Sequence, residues 1–207
     1  MNPVVKVAHH LLQNQFCYDF YQQAVGGVSY RNRFISTYLN KGELAVLDVG
    51  CGTGALLSDI PKSTKYFGID ISDEYLSAAR QKRPDATFVN ASVSENWSES
   101  LELGDKVLTT AMGLFHHLND TEFKKLISML SNLLDSGSSI VSVDPVIIDS
   151  TSAIAKWFAK NDRGKFLRSP SEMESIFKSY GFELEMICKS NQFNIPLDTL
   201  EILAYKN

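Results

Sequence analysis

The 207-residue sequence has few cysteines, and those it has lie far apart. There are three, which is an odd number, and no two of them form a C-x-x-C pair: Cys17, Cys51 and Cys188. This spacing argues against a disulfide framework and against a cysteine zinc site. We therefore expect no bound metal and a reducing, cytoplasmic compartment.

The sequence also lacks a long hydrophobic run and an excess of basic charge. No apolar stretch approaches the ~20 residues that cross a bilayer, and the first residues show no signal-peptide pattern, so we expect no membrane insertion. A formal net charge of -4 and a pI near 5.6 argue against a nucleic-acid partner, which usually meets a basic patch. With 44% hydrophobic and 21% charged residues, the composition is typical of one globular domain over residues 1–207.

A strand-like run that ends in closely spaced glycines organises the rest of the chain. Residues 44–50 are apolar enough to form a buried strand,. The glycines that follow at alternate positions are Gly50, Gly52 and Gly54. Glycine lets a backbone approach a ligand closely because it has no Cβ. We expect a helix from Ala55 to about Ile60, so that strand, loop and helix N-terminus form a nucleotide-type site.

Strands and helices alternate beyond this loop. Further strands are predicted at 65–70, 86–90, 105–112 and 139–144, with helices at 73–82, 120–134, 152–160 and 170–180, and two consecutive strands, 183–189 and 200–205, end the chain,. Alternation predicts a mostly parallel sheet with right-handed crossovers, and the closing pair predicts an antiparallel edge. Residues 1–40 are expected to form a helical cap. The predicted fold is a three-layer, seven-stranded α/β domain.

An acidic residue after the second strand suggests a ribose. Asp70 ends that strand sixteen residues after Gly54, where an acid can accept both ribose hydroxyls. The other interpretation of Asp70 is a cap for the following helix. The glycine spacing, continued by Ala55, also satisfies the dinucleotide pattern G-x-G-x-x-G/A, so a nicotinamide cofactor stays open.

Three segments together carry a resemblance to a known family. LDVGCGTG (47–54), GIDIS (68–72) and GLFHHL (113–118), in this order, resemble the class I S-adenosylmethionine-dependent methyltransferases. The resemblance covers about residues 44–144, and the closing strand pair agrees with that family's sheet. It implies a Rossmann-like fold with an antiparallel last strand and the transfer of a methyl group from S-adenosylmethionine, leaving S-adenosylhomocysteine. Residues 162–168 resemble a bacterial subset of the family.

The resemblance also implies which residues hold the cofactor. Those shaping the loop around its methionine part would be Asp48, Gly50, Cys51, Gly52 and Gly54, while Asp70 would bind the ribose and Ile71 the adenine. Ala91 and Ser92 would border the adenine, and Ala111, Met112 and Gly113 would line the far wall. Where many relatives carry an acid for the adenine amino group, this chain has Ser92 as a substitute. Arg31, or alternatively Arg33, is the candidate partner for the cofactor's carboxylate.

Candidate acceptor-site residues follow the fourth and fifth strands. His116 can act as a general base for a hydroxyl acceptor, or it can be a structural histidine. Asp144 can accept a proton or orient the acceptor, or it can fix the loop before a proline. Residues 146–169 can form a lid, in which Arg163 and Arg168 would bind a carboxylate or phosphate, or a solvated loop.

Three functions therefore compete at this point. The first is methyl transfer to a small-molecule acceptor by in-line displacement in a desolvated cleft. The second is a nicotinamide-dependent oxidoreductase, which the glycine spacing permits. The third is a non-catalytic S-adenosylmethionine-binding module.

Overall fold

Seven strands form one sheet in the part of the chain that the computed structural model describes, residues 27–39, 45–161 and 164–206. The strands are β1 (Ala45–Val49), β2 (Lys65–Asp70), β3 (Thr87–Asn90), β4 (Val107–Met112), β5 (Ser139–Pro145), β6 (Phe182–Lys189) and β7 (Thr199–Lys206). The helices are α1 (Gly27–Leu39), α2 (Asp73–Lys82), α3 (Asp120–Leu133), α4 (Ala153–Asn161) and α5 (Pro170–Ser179), with short 3-10 turns at Ser98–Ser100 and Phe115–His117.

The strand order of the sheet is β3-β2-β1-β4-β5-β7-β6. The first five strands in that order are parallel, and β7 runs antiparallel to both of its neighbours. This arrangement confirms the predicted mostly parallel sheet with an antiparallel last strand. Because parallel strands end at the same edge, the loops after β1, β2, β4 and β5 meet there, which is where open α/β sheets bind ligands.

Apolar residues pack on both faces of the sheet, which gives the three layers. One face carries α3 and α5, with a cluster of aromatic side chains at its centre: Phe115, Phe123, Phe177 and Phe182. The other face carries α1, whose Phe34 and Ile35 are buried. The Tyr30 hydroxyl donates a hydrogen bond to Glu201 of β7, which fastens α1 to the sheet. The part of the predicted cap before residue 27 lies outside the described residues.

Side-chain caps explain why the helices begin where they do. The Ser72 hydroxyl accepts a hydrogen bond from the Tyr75 amide, which starts α2,. Asn119 and Glu122 form a capping box that starts α3,, and a second capping box starts α5. These signals are local in sequence. The predicted helix at 73–82 is confirmed by the span of α2.

The predicted helix after the glycine loop is wrong, because this stretch forms successive turns. Its backbone hydrogen bonds join residues three apart, from the Gly54 amide to the Cys51 carbonyl and from the Leu57 amide to the Gly54 carbonyl. An α-helix would instead join residues four apart. The apolar spacing that suggested a helix serves burial instead, since Leu56 and Ile60 are buried in these turns.

No helix among the described residues is both long enough and apolar enough to cross a membrane.

Candidate active site

The loop after β1 is drawn tightly onto the end of β2. The amides of Gly50 and Cys51 both donate to the Ile69 carbonyl, at 2.7 and 3.0 Å. The Gly52 amide donates to Asp70 Oδ2 at 2.8 Å. These bonds hold the glycine backbone at the edge of the sheet where the parallel strands end.

Gly52 faces open space, whereas Gly50 does not. A Cβ placed at Gly50 would lie 2.9 Å from Leu114 Cδ1, but a Cβ at Gly52 would have no other described heavy atom within 4 Å, apart from its chain neighbours. Gly52 has a φ of +53°, which side-chain-bearing residues rarely adopt. We call the space beside Gly52 and Asp70 the glycine crevice, and a ligand can approach the backbone closely there.

The Asp70 carboxylate joins the glycine loop to the residues that follow β2. Its Oδ2 accepts from the Gly52 amide, and its Oδ1 accepts from the Ser72 amide at 2.9 Å. Each carboxylate oxygen has two lone pairs, so the group can still accept from ligand hydroxyls. Asp70 is half-buried, and the neighbouring Ile71 is 74% exposed. An acid beside an exposed apolar side chain fits a sugar joined to a flat base.

Asp48 lies beneath the loop, inside the sheet. Its carboxylate accepts hydrogen bonds from the Tyr66 and Thr110 hydroxyls, both at 2.6 Å. Burial and the negative charge of Asp48 raise the pKa of Tyr66 well above its ordinary value, so the phenol stays protonated and keeps donating. Burial also raises the pKa of the Cys51 thiol,, which leaves it neutral. Asp48 therefore shapes the loop from below.

The other predicted cofactor residues lie around the same edge of the sheet. The Ala91 amide donates to the Asp70 carbonyl at 3.1 Å, and Ser92 has its amide 3.1 Å from Glu95 Oε2. Ala111 and Met112 end β4 and are buried. Gly113 follows with a φ of +64°. The structure thus brings together residues from four loops, and their contact with a cofactor stays a prediction.

Two of the predicted arginines lie wholly or in part outside the described residues. Arg31 belongs to α1, but its side chain lies outside the described part. Arg163 lies outside the described residues altogether. The alternative to Arg31, Arg33, is exposed. A partner for a ligand carboxylate therefore stays a prediction.

His116 and Asp144 form a buried pair. Imidazole Nδ1 lies 2.8 Å from Asp144 Oδ1, and the His116 backbone amide donates to the same oxygen at 3.1 Å. Both residues are buried, at 4% and 3% exposure. Burial raises the pKa of Asp144, and its bonds to His116 oppose that rise,. The sequence predicts a role for each residue separately but not their pairing, for which the adjacency of β4 and β5 is the signal.

Residues 164–168, which we call the strap, cover this pair. A Cβ placed at Gly164 would lie 1.7 Å from His116 Cδ2 and 2.8 Å from its Nε2. The Phe166 amide donates to the His116 carbonyl at 3.0 Å. His116, Asp144 and Phe166 also line a small cavity of about 10 Å³, close to the size of one water molecule. The strap therefore separates the imidazole from solvent.

The Arg168 side chain, at the end of the strap, turns inward rather than facing an open pocket. It is 9% exposed and donates to the carbonyls of Phe115 and Leu118 at 2.9 and 2.7 Å. It also forms an ion pair with Asp120, at 2.8 Å. Contact with a substrate anion, the role predicted for Arg168, is not supported by these contacts.

A family model and a relative match this chain. The model described as "Methyltransferase domain" matches residues 46–137. An uncharacterized methyltransferase of Bacillus mycoides (strain KBAB4) is 30% identical over 159 residues, which cover 70% of this chain and 73% of the relative.

Two solved structures are similar in fold. Magnesium protoporphyrin IX methyltransferase from Synechocystis PCC 6803, with bound SAH, is 19% identical with a TM-score of 0.65, over 91% of this chain and 88% of that one. Human N-acetylserotonin methyltransferase, in complex with SAM, is 18% identical with a TM-score of 0.67, over 95% of this chain and 58% of that one. At such identities the likeness concerns the fold alone.

Proposed function

Since the chain belongs to the class I S-adenosylmethionine-dependent methyltransferases, we propose that it transfers the methyl group to a small-molecule acceptor and releases S-adenosylhomocysteine. The observation that carries this proposal is the open glycine crevice lying at the same sheet edge as the covered His116–Asp144 pair. Membership of this family decides against the nicotinamide-dependent alternative.

The glycine crevice fits the cofactor. Gly52 offers backbone with no described side chain in the way, Asp70 retains lone pairs for ribose hydroxyls, and exposed Ile71 offers an apolar surface for adenine. Ala91 and Ser92 would border the adenine, and the end of β4 would form the far wall. S-adenosylmethionine supplies an activated methyl group on a sulfonium, so the protein contributes chiefly by placing the acceptor in line with it.

His116 is the proposed general base when the acceptor is a hydroxyl. Asp144 holds Nδ1, which fixes the orientation of the ring and directs Nε2 toward the strap. Nε2 is then the atom that would take the proton. Because Gly164 packs against that side of the ring, the strap has to shift before an acceptor can reach Nε2.

A small acceptor is supported by two observations. The similar structures are those of proteins named for magnesium protoporphyrin IX and N-acetylserotonin, which are small molecules. The chain also has a formal net charge of -4, which disfavours a nucleic-acid acceptor.

Titration calorimetry with S-adenosylmethionine, S-adenosylhomocysteine and NAD tests the cofactor. We expect both sulfur compounds to bind and NAD not to bind. Asp70→Ala should weaken their binding by about 1.5–3 kcal/mol, because a charge-assisted contact is lost. Asp73→Ala is the matched control, since this exposed acid of α2 pairs with Arg80 and should leave affinity unchanged. NAD binding without a response to either sulfur compound would contradict the proposal.

A methyl-transfer screen tests turnover. Labelled S-adenosylmethionine is offered with sugars, phenols, amines and carboxylates, and transfer to at least one class is expected. If a hydroxyl acceptor emerges, His116→Ala should lower kcat by about a hundredfold or more. Cofactor binding without transfer to any of these classes would instead favour the non-catalytic module.

A further inference from the structure

Arg168 is buried in a pocket made of backbone carbonyls. Its guanidinium forms five hydrogen bonds, to the carbonyls of Phe115, Leu118 and Phe166 and twice to Asp120 Oδ1, at 2.7–3.3 Å. The group also lies over the Phe123 ring, 4.6 Å from its centroid,. The five bonds match the five N–H donors of a guanidinium, so no donor remains for a substrate anion.

These acceptors lie on two separate segments that meet at His116. The carbonyl of Phe115 belongs to the 3-10 turn that contains His116, the carbonyl of Leu118 directly follows that turn, and the Phe166 carbonyl belongs to the strap. A planar guanidinium can bond to several carbonyls at once, whereas an ammonium group has three donors around one point. Arg168 therefore joins the turn to the strap in a way that lysine cannot reproduce.

The strap in turn contacts His116 directly. Gly164 lies against the imidazole, and the Phe166 amide donates to the His116 carbonyl at 3.0 Å. On its far side the ring meets Asp144 at 2.8 Å. The imidazole is thus held between the strap and the carboxylate.

We propose that Arg168 is a positioning residue, which holds the strap on the Phe115–His117 turn and thereby keeps the His116 imidazole on Asp144. The link to the reaction rests on the proposed function, because it assumes that His116 takes part in methyl transfer. The hydrogen bonds of Arg168 reach the turn, the strap and Asp120, and none of them reaches the glycine crevice. It acts by fixing the geometry of another side chain.

The charges near the imidazole come from several elements, and a test must separate them. Asp144 of β5 bonds to the ring, and the His117 ring lies beside it, tilted by 40°, with a centroid distance of 4.2 Å. Asp120 of α3 reaches Arg168, and Lys165 of the strap is exposed. An NMR measurement on the imidazole proton of His116 is therefore more direct than a pH profile of activity.

The first test follows the imidazole N–H proton that His116 shares with Asp144. A buried, hydrogen-bonded imidazole proton exchanges slowly with water and gives a downfield NMR signal, which is assigned by its loss in His116→Gln. In Arg168→Lys we expect its exchange to accelerate by about tenfold or more, because the strap opens more often. An unchanged exchange rate in a folded Arg168→Lys protein would overturn the proposal.

Arg83→Lys is the matched control for that variant. Arg83 is likewise buried and donates to the carbonyls of Ile60, Pro61, Lys62 and Thr64, but it lies in the other half of the molecule. Its replacement should lower stability while leaving the His116 proton within about twofold of its native exchange rate. Equal acceleration in both variants would show that Arg168 matters for stability alone, and would overturn the proposal.

A measurement on the unmodified protein covers the case in which Arg168→Lys fails to fold. If strap and imidazole open as one unit, the Phe166 amide and the His116 imidazole proton respond in parallel to low concentrations of denaturant. A Phe166 amide that opens independently, with no denaturant dependence, would contradict the proposal. Calorimetry with S-adenosylmethionine, performed alongside, reports on the proposed function separately, because Arg168 does not contact the glycine crevice.

Discussion

Two glycines show how the two halves of the site differ. At Gly52 a Cβ would meet no described heavy atom within 4 Å beyond its chain neighbours, whereas at Gly164 it would lie 1.7 Å from the His116 ring. The first glycine keeps a crevice open, and the second lets the chain cover a side chain. The half around β1 and β2 is therefore open and built largely from backbone, while the half around β4 and β5 is closed and built from buried side chains.

A cofactor and a methyl acceptor would therefore meet different obstacles on the way to their sites. The space beside Gly52 is open among the described residues, so we expect a cofactor to enter the glycine crevice without displacing them. An acceptor that uses His116 has to displace the strap, because Gly164 and Phe166 cover that residue. Cofactor affinity and acceptor chemistry should thus respond to different substitutions.

The largest expected effect is that of Gly52→Val on cofactor binding. A branched side chain would fill the crevice, so affinity for S-adenosylhomocysteine should fall by about a hundredfold or more, measured by calorimetry. The positive φ should also cost about 1–2 kcal/mol of stability.

Gly104→Val separates these two consequences. Gly104 also has a positive φ, +87°, and open space around its Cβ position, but it lies in the loop before β4. It should show the same loss of stability with unchanged affinity. If both variants bind the cofactor normally, the crevice is not where the cofactor binds.

Gly164→Ala should give the opposite pattern. Its methyl group would collide with the His116 ring, and such overpacking typically costs about 1–3 kcal/mol in the free energy of unfolding. Affinity for S-adenosylhomocysteine should stay within about threefold, which is less than 1 kcal/mol. A loss of affinity as large as that of Gly52→Val would mean that the two halves are not separate.

The smallest effect concerns Tyr66, below the crevice, at alkaline pH. Its folded-state pKa is raised by burial and by Asp48, so above about pH 10 the unfolded chain releases a proton that the folded chain keeps. Stability should then fall as pH rises, by up to about 1.4 kcal/mol per pH unit relative to Tyr66→Phe. Denaturant titrations of both proteins from pH 8 to 11 measure this difference. A difference that does not vary with pH would place Tyr66 in contact with solvent.

Much of the fold could be predicted because its signals are local. The Ser72 cap and the apolar spacing of α3 lie within a few residues of the helices they define. The helix expected after the glycine loop failed for a local reason as well. The apolar spacing after Gly54 is compatible with a helix, but the backbone bonds there join residues three apart and form successive turns.

The site was predicted unevenly. Gly52 and Asp70 each belong to a short motif, and they lie side by side in the structure. Arg168 could not be interpreted in the same way, because its acceptors at Phe115, Leu118 and Asp120 are about fifty residues away in sequence. Burial that depends on such distant contacts leaves no local pattern in the sequence. The sequence around Arg168 therefore shows only a charged residue in a loop, which is typical of a substrate contact.

Amide NMR of the labelled protein during titration with S-adenosylhomocysteine tests the division of the site most directly. We expect large shifts at Gly52, Ser72 and Ala91, which surround the glycine crevice, and little change at the Phe166 and His117 amides of the covered half. Large shifts at Phe166 and His117 with an unmoved Gly52 would contradict this division.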